Sequence, residues 1–266
     1  MLNREFYRRG PNHPLPNLLS DGPATFLDIR QRFNFRSVQI GKWVTRQEQA
    51  VAAPLFYDAL CDLMTILGGN EDVVSLRGTL ALQYGCGGQP GVSAHYDPQT
   101  RSFALAKNAG PGSIAHEWFH AFDHYIREKA FLEIGDEDFG SCAWLENTPE
   151  IAHPLNEKLS WVYQCIILDG DEPSDYFNRA LLVDKAMDGD YYSRPEELCA
   201  RAFEAFIQDA TIKNNFLVKG TKQSSEAKLG LYPEGEHRQQ INEAFKDYFF
   251  NLGRVLKRQA EREAVV

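Results

Sequence analysis

Apolar residues recur at helical spacing in two long stretches of the chain, residues 46–68 and residues 237–262. In the first stretch they are Val51, Leu55, Leu60, Leu63, Met64 and Leu67, and in the second Ile241, Phe245, Tyr248, Phe249, Leu252, Val255 and Leu256. Gly68 and Gly69 directly follow the first stretch, and glycine often ends a helix. The pattern therefore predicts one amphipathic helix in each stretch.

Short apolar runs separated by Gly- and Pro-containing turns lie between these helices, as is typical of strands. The runs cover residues 74–76, 79–84, 91–96 and 102–106. Between the last two runs, the sequence Asp97-Pro98-Gln99-Thr100 favours a tight turn. We therefore expect a small, mostly antiparallel sheet with a hairpin over residues 92–106.

Four further helices are predicted before the C-terminal one, at about residues 113–130, 155–168, 174–187 and 194–209. Ser113 is a suitable N-cap for the first of them. Residues 218–236 are predicted to be a loop. Residues 1–22 are rich in Pro, Asn, Arg and Gly and are predicted to be an extended arm. We see no internal repeat in the remainder, so we expect a single α+β domain over residues 23–266.

Acidic residues are concentrated in one segment of this domain. Residues 132–190 contain fourteen Asp and Glu residues against three Lys and Arg residues. Since two of the predicted helices lie within the segment, we expect an acidic helical insertion. Such an insertion would serve as a lid or as a surface for a partner.

Composition and charge narrow the possible classes of protein. A hydrophobic fraction of 43% supports a folded core, and a net charge of −9 argues against a nucleic-acid partner. No run approaches the roughly 18 apolar residues of a membrane span, and the charged N-terminus is not followed by a secretory apolar run. Five cysteines without a CxxC pair indicate reduced thiols. We therefore expect a cytoplasmic protein without a membrane partner; the sequence does not indicate its oligomeric state.

Candidate chemistry is concentrated in the helix predicted at 113–130, which contains His116-Glu117-Trp118-Phe119-His120. A spacing of four residues places both imidazoles on one helix face, where they can share one metal ion. From the position after the first histidine, the Glu117 carboxylate can act as a general base without being a ligand. The spacing therefore predicts a zinc site, and the alternative is two polar residues on an exposed helix.

The residues around this pair favour the zinc site. They are Ile114, Ala115, Trp118, Phe119, Ala121 and Phe122, so the helix is apolar on nearly every side and is predicted to be buried. Two histidines and a glutamate in such a position would be costly without partners, and a metal ion removes that cost.

A catalytic zinc site needs a third protein ligand. The extended motif of the metzincins requires Gly at 123 and His at 126, where this chain has Asp123 and Ile126. His124 shares the helix face of His116 and His120, but both of those histidines precede it along the helix, so it is a poor third ligand. We therefore interpret His124 as a hydrogen-bonding or surface residue.

The helix predicted near residues 194–209 supplies the best third ligand. Ser193 and Glu196 have the spacing of a capping box, and Pro195 suits the first helical turn. That interpretation leaves Glu197 free to point along the inner face, with Glu204 two turns further on. We therefore expect Glu197 to be the third ligand and Glu204 to orient the ligands. The alternative is that both carboxylates only stabilise the helix dipole.

These motifs together resemble the zincin-like metallopeptidase domain of the large polyvalent proteins of phages and conjugative elements. The resemblance spans about residues 22–210 and is strongest in residues 116–125 and 195–205. Shorter similar pieces are residues 32–44, 94–98 and 110–115. The fold that this resemblance implies is zincin-like, with a small sheet packed on helices.

A more distant resemblance is to the catalytic domain of anthrax lethal factor. Its pattern is similar to residues 116–123, ending on Asp123, and implies that His116, His120 and Glu197 bind one zinc ion per chain, with Glu117 as the base. It also implies a tyrosine that stabilises the oxyanion, and Tyr191 or Tyr192 occupies that region. Tyr191 is our preferred candidate. Where that family has a second glutamate, this chain has Arg201.

The sequence therefore predicts a zinc metallohydrolase, with a peptide or protein as its substrate. An extended substrate would pair with the edge strand of the hairpin. His95 lies on that strand and is a candidate substrate contact; the alternative is that it has only a structural role. Asp123 is a candidate for orienting the ligands or contacting the substrate. The alternative is a protein with a zincin-like fold that binds a metal ion or a partner protein but catalyses no reaction. One form of this alternative is an inhibitor of host defence proteins.

Overall fold

The computed structural model of the protein describes residues 22–86, 94–107, 112–132, 135 and 138–263. The helices are α1 (Phe26–Phe33), α2 (Arg46–Ile66), α3 (Glu71–Ser75), α4 (Ile114–Ala130), α5 (Gly140–Leu145), α6 (Pro154–Ile167), α7 (Asp175–Met187), α8 (Pro195–Asp209), α9 (Ser225–Lys228) and α10 (Gly235–Glu263). The strands are β1 (Ser37–Ile40), β2 (Ala81–Tyr84), β3 (Ala94–Asp97), β4 (Ser102–Leu105), β5 (Leu168–Asp169) and β6 (Glu172–Pro173). The fold class is α+β.

The larger sheet has the strand order β1-β2-β4-β3. The predicted hairpin is confirmed, since β3 and β4 pair antiparallel with Ala94 opposite Leu105. The prediction of a mostly antiparallel sheet is wrong, because β1–β2 and β2–β4 are parallel pairs. A parallel pair requires a long connection between its strands. Between β1 and β2 the chain makes that connection through α2 and α3, and between β2 and β4 it makes it through residues 85–101, which include β3. The four-residue pattern of β1 was too short to indicate this arrangement.

The long predicted helices are confirmed to within about two residues at each end. Short elements account for the differences. Residues 74–76 were predicted as a strand, but Val74 and Ser75 belong to α3. The short helices α1, α5 and α9 were also missed, since fewer than about three turns carry too little periodicity to recognise.

An aromatic cluster between α4, α8 and α10 forms the centre of the core. Trp118 stacks on Phe203 of α8 at a ring-centroid distance of 5.3 Å, and Phe119 lies 4.9 Å from the same ring. Phe245 and Phe249 of α10 also contact the Phe203 ring, at 5.6 Å each. This packing holds α4 and α8 side by side, so the polar faces of the two helices meet next to the core.

The acidic segment contributes to the same core. Within α6, Leu159, Val162 and Tyr163 are buried, and α6 packs against α10. The predicted N-terminal arm, residues 1–22, lies outside the described residues except for Gly22. In the part of the chain that the structure describes, each helix is too short or too polar to span a bilayer.

Candidate metal centre

The HExxH segment lies in the first two turns of α4. Ser113 occupies the predicted N-cap position, but its side chain makes no capping hydrogen bond. His116 and His120 face the same direction, with their Nε2 atoms 3.0 Å apart. The side chain of His116 is 15% exposed and that of His120 is 9% exposed. The two imidazoles therefore form a nearly enclosed pair at the boundary between core and surface.

Glu197 of α8 completes a cluster with these histidines. Its Oε2 atom lies 3.5 Å from His116 Nε2, and its Oε1 atom lies 3.3 Å from His120 Nε2. One donor atom from each of the three residues falls within 4.8 Å of the others. Two atoms that are each about 2.0–2.1 Å from a tetrahedral zinc ion lie roughly 3.3 Å apart. The Nε2–Nε2 distance and the two Nε2–carboxylate distances, which involve the two different oxygens of Glu197, lie close to that value.

The capping box predicted for α8 does not form. Its N-cap is Arg194, which makes no side-chain capping bond, and the Ser193 hydroxyl donates instead to Asp184, at 2.6 Å. Glu196 accepts a hydrogen bond from the Cys142 thiol. Glu197 faces α4 because α8 packs with that side inward. The prediction thus selected the glutamate that lies beside the two histidines, but for an incorrect reason.

The charges in the cluster favour a cation. Burial lowers the pKa of His116, but the Glu197 and Glu204 carboxylates beside it raise that pKa to about 10. Burial raises the pKa of Glu197, but the two imidazoles hold it well below its usual range. Among the described residues, the buried Oε2 of Glu197 accepts no hydrogen bond of good geometry, although Arg201 Nη2 lies 3.1 Å away. A positive charge between the three side chains would compensate these carboxylates, as a divalent metal ion does.

Glu117 lies beside the cluster and is 7% exposed. Burial raises the pKa of its carboxyl group, and the nearby charges of His116, His120 and His95 lower that pKa in part. A poorly hydrated carboxylate next to a candidate metal site has the properties expected of a general base.

Tyr191 and Tyr192 occupy the loop that precedes α8, and the two tyrosines differ in position. The phenol of Tyr191 lies against Glu197, and its pKa is raised by burial and by that carboxylate. Tyr191 is also 47% exposed, so its ring reaches from the cluster to the surface. Tyr192 is half-buried, and its backbone N–H donates to Asp184, at 2.8 Å. Of the two candidates, Tyr191 is the one in contact with the cluster.

A hydrogen-bonded chain behind His116 includes a residue that sequence analysis missed. Glu204 accepts from His116 Nδ1 at 2.6 Å, and its second oxygen accepts from the Tyr232 hydroxyl at 3.0 Å. Glu204 is therefore placed to orient His116, as expected. Tyr232 lies in a segment predicted only as a loop, and no motif in the sequence connects it to α4.

Replacing Tyr232 by Phe is expected to weaken zinc binding by up to about tenfold. A direct outer hydrogen bond to a metal ligand is typically worth about 10–100-fold in affinity, and Tyr232 acts on His116 only through Glu204. Titration against a chromophoric chelator measures the dissociation constant. Tyr176→Phe is the matched control, because that hydroxyl is buried and bonds to the Leu198 carbonyl of the same helix α8. Equal losses in both variants would show that Tyr232 has no specific role.

The remaining candidates have different environments. Asp123 is fully buried and accepts hydrogen bonds from Ser141 and Tyr163, so it anchors α5 and α6 to α4. His124 is also buried and shares a hydrogen bond of 2.8 Å with the Tyr96 hydroxyl, which ties β3 to α4. His95 is exposed on β3, where a substrate could reach it.

Comparison with known proteins identifies one segment of the chain. Residues 183–256 match the family described as large polyvalent protein-associated domain 1. No curated protein and no solved structure matches the chain. The matched segment includes Glu197, Glu204 and Tyr232, whereas the HExxH helix precedes it. This segment of the chain is therefore similar to a domain of large polyvalent proteins. It contributes the residues of the candidate site that lie on α8 and in the loop after it.

Proposed function

We propose that this protein is a zinc-dependent metallohydrolase that cleaves peptide bonds. The observation that carries the proposal is the convergence of His116, His120 and Glu197 from two helices, with distances that fit one tetrahedral zinc ion. These three side chains would hold one zinc ion per chain. Three protein ligands leave a fourth position open, as in catalytic zinc sites.

A bound zinc ion makes water acidic near neutral pH and polarises a carbonyl group. Glu117 would accept the proton of the attacking water and return it to the leaving amine. The Tyr191 hydroxyl would donate a hydrogen bond to the negative oxygen that develops on the scissile carbonyl carbon. The Glu204 carboxylate would hold His116 with its Nε2 lone pair directed into the cluster.

The substrate would be an extended polypeptide. In the strand order, β3 lies at the end of the larger sheet, and β3 packs against the HExxH helix. An extended chain can add to such an edge through backbone hydrogen bonds. His95 is exposed on this strand and would contact the added chain.

Metal analysis and a cleavage assay on the purified protein test the proposal. We expect about one zinc ion per chain, loss of that zinc in His120→Ala, and retention in His153→Ala, which changes an exposed histidine at the start of α6. We also expect the wild type to cleave members of a broad peptide library. Zinc without cleavage would favour a metal-binding module that does not turn over. Purification without chelators that yields no zinc would contradict both functions.

A further inference from the structure

A buried arginine lies directly behind the cluster. Arg201 is one turn after Glu197 on α8, is 6% exposed, and places Nη2 3.1 Å from Glu197 Oε2. That oxygen belongs to the carboxylate shared by His116 and His120. The proposed third ligand therefore already has a cationic partner within the protein.

The guanidinium of Arg201 is fixed from several sides. Its carbon lies 4.8 Å from the ring centre of Tyr192 and 5.3 Å from that of Tyr191. The carbonyl oxygen of Glu197 lies 3.5 Å from Nη1. A planar cation stacked on aromatic rings and paired with a carboxylate is held in one position. Arg201 is therefore poorly placed to swing aside when a metal ion enters the cluster.

From this geometry we infer that Arg201 lowers the metal affinity of the cluster by competing with the metal ion for the Glu197 carboxylate. The inference rests on the proposed function, because it concerns the same three ligands. Two effects of Arg201 both lower the affinity for a metal ion. The guanidinium withdraws negative charge from the ligand, and its own charge repels a dication at close range through a medium of low dielectric constant.

Glu204 has the opposite effect and raises the metal affinity of the cluster. Its carboxylate stands behind His116 and makes that imidazole a stronger donor, whereas Arg201 stands behind Glu197 and makes that carboxylate a weaker one. Arg201 and Glu204 are one turn apart on α8. One helix thus carries the third ligand together with two charges that adjust metal affinity in opposite directions.

Zinc competition against a chromophoric chelator tests the inference in the full-length protein. Arg201→Gln removes the charge, and Arg201→Met removes it while keeping an aliphatic side chain that packs between the same neighbours. We expect both variants to bind zinc about tenfold more tightly or better, and Arg201→Lys to stay close to the wild-type affinity. The control is Arg238→Gln, another buried arginine, whose partner is Asp209 rather than the cluster.

The outcomes separate this inference from the proposed function. Wild-type zinc binding with equal or weaker binding in Arg201→Gln and Arg201→Met overturns the inference and leaves the function intact. Failure of the wild type and both variants to bind zinc overturns both. Zinc binding only in the two uncharged variants supports the inference and contradicts the function. A rise in affinity in Arg238→Gln of the same size would show that the effect is not specific to Arg201.

Discussion

Glu117→Gln is expected to slow peptide cleavage by about 10²–10⁴-fold, the usual contribution of a general base. Glutamine is nearly the same size as glutamate, but its amide does not accept a proton from water at neutral pH. Glu117 is buried beside the cluster without belonging to the three donor residues, so zinc binding should not require it. The measurement is single-turnover cleavage of a peptide identified from the library, together with the zinc content of each preparation.

The matched control is Glu128→Gln, which removes a carboxylate three turns further along the same helix. Glu128 is exposed and pairs with Arg101, far along α4 from the cluster. We expect its cleavage rate to remain at the wild-type level. Full activity in Glu117→Gln would exclude Glu117 as the base. Loss of zinc in Glu117→Gln would show that the residue supports the metal rather than the proton transfer.

Trp118→Ala is expected to lower the free energy of unfolding by about 3–5 kcal/mol, the range for removing a large aromatic side chain from a core. Trp118 is fully buried and packs on Phe122, Phe203 and Phe249. Its indole N–H donates to the Val74 carbonyl at 3.0 Å, so truncation also leaves a buried acceptor without its donor. For a chain of this size, the melting temperature should fall by roughly 6–20 °C.

Trp161→Ala is the control for this prediction, since that tryptophan is 50% exposed on α6. Its removal should change stability by less than about 1 kcal/mol. Chemical denaturation followed by circular dichroism measures both variants. Similar stabilities for the two would mean that the aromatic cluster is not the main support of the core. That result would also mean that the aromatic cluster does not fix the positions of α4 and α8 relative to each other.

The predictions for Glu117 and Trp118 are connected, because both depend on how α4 packs against α8. The HExxH residues and Glu197 are far apart in the sequence, and only the packing of α4 on α8 brings their donor atoms within reach. The aromatic residues on one side of α4 and the polar residues on the other therefore have linked roles. A loss of core packing should weaken zinc binding even when all three donor residues are present.

The sequence by itself determined the long helices, because a periodicity sustained over four or more turns is hard to produce by chance. It also determined the spacing of His116, Glu117 and His120, since residues one turn apart on a helix must share a face. The match at residues 183–256 supports the relation to large polyvalent proteins for that segment.

Only the tertiary structure decided the direction of the strands and the partners of the cluster. Parallel pairing of β1, β2 and β4 depends on contacts between distant residues, which a local pattern does not encode. The orientation of Glu197 follows from the side on which α8 packs, and not from a capping box. Tyr232 reached the site in the same way, because only the path of the chain after α8 brings its hydroxyl to Glu204. Arg201 is different, since helical spacing alone places it one turn from Glu197 on α8.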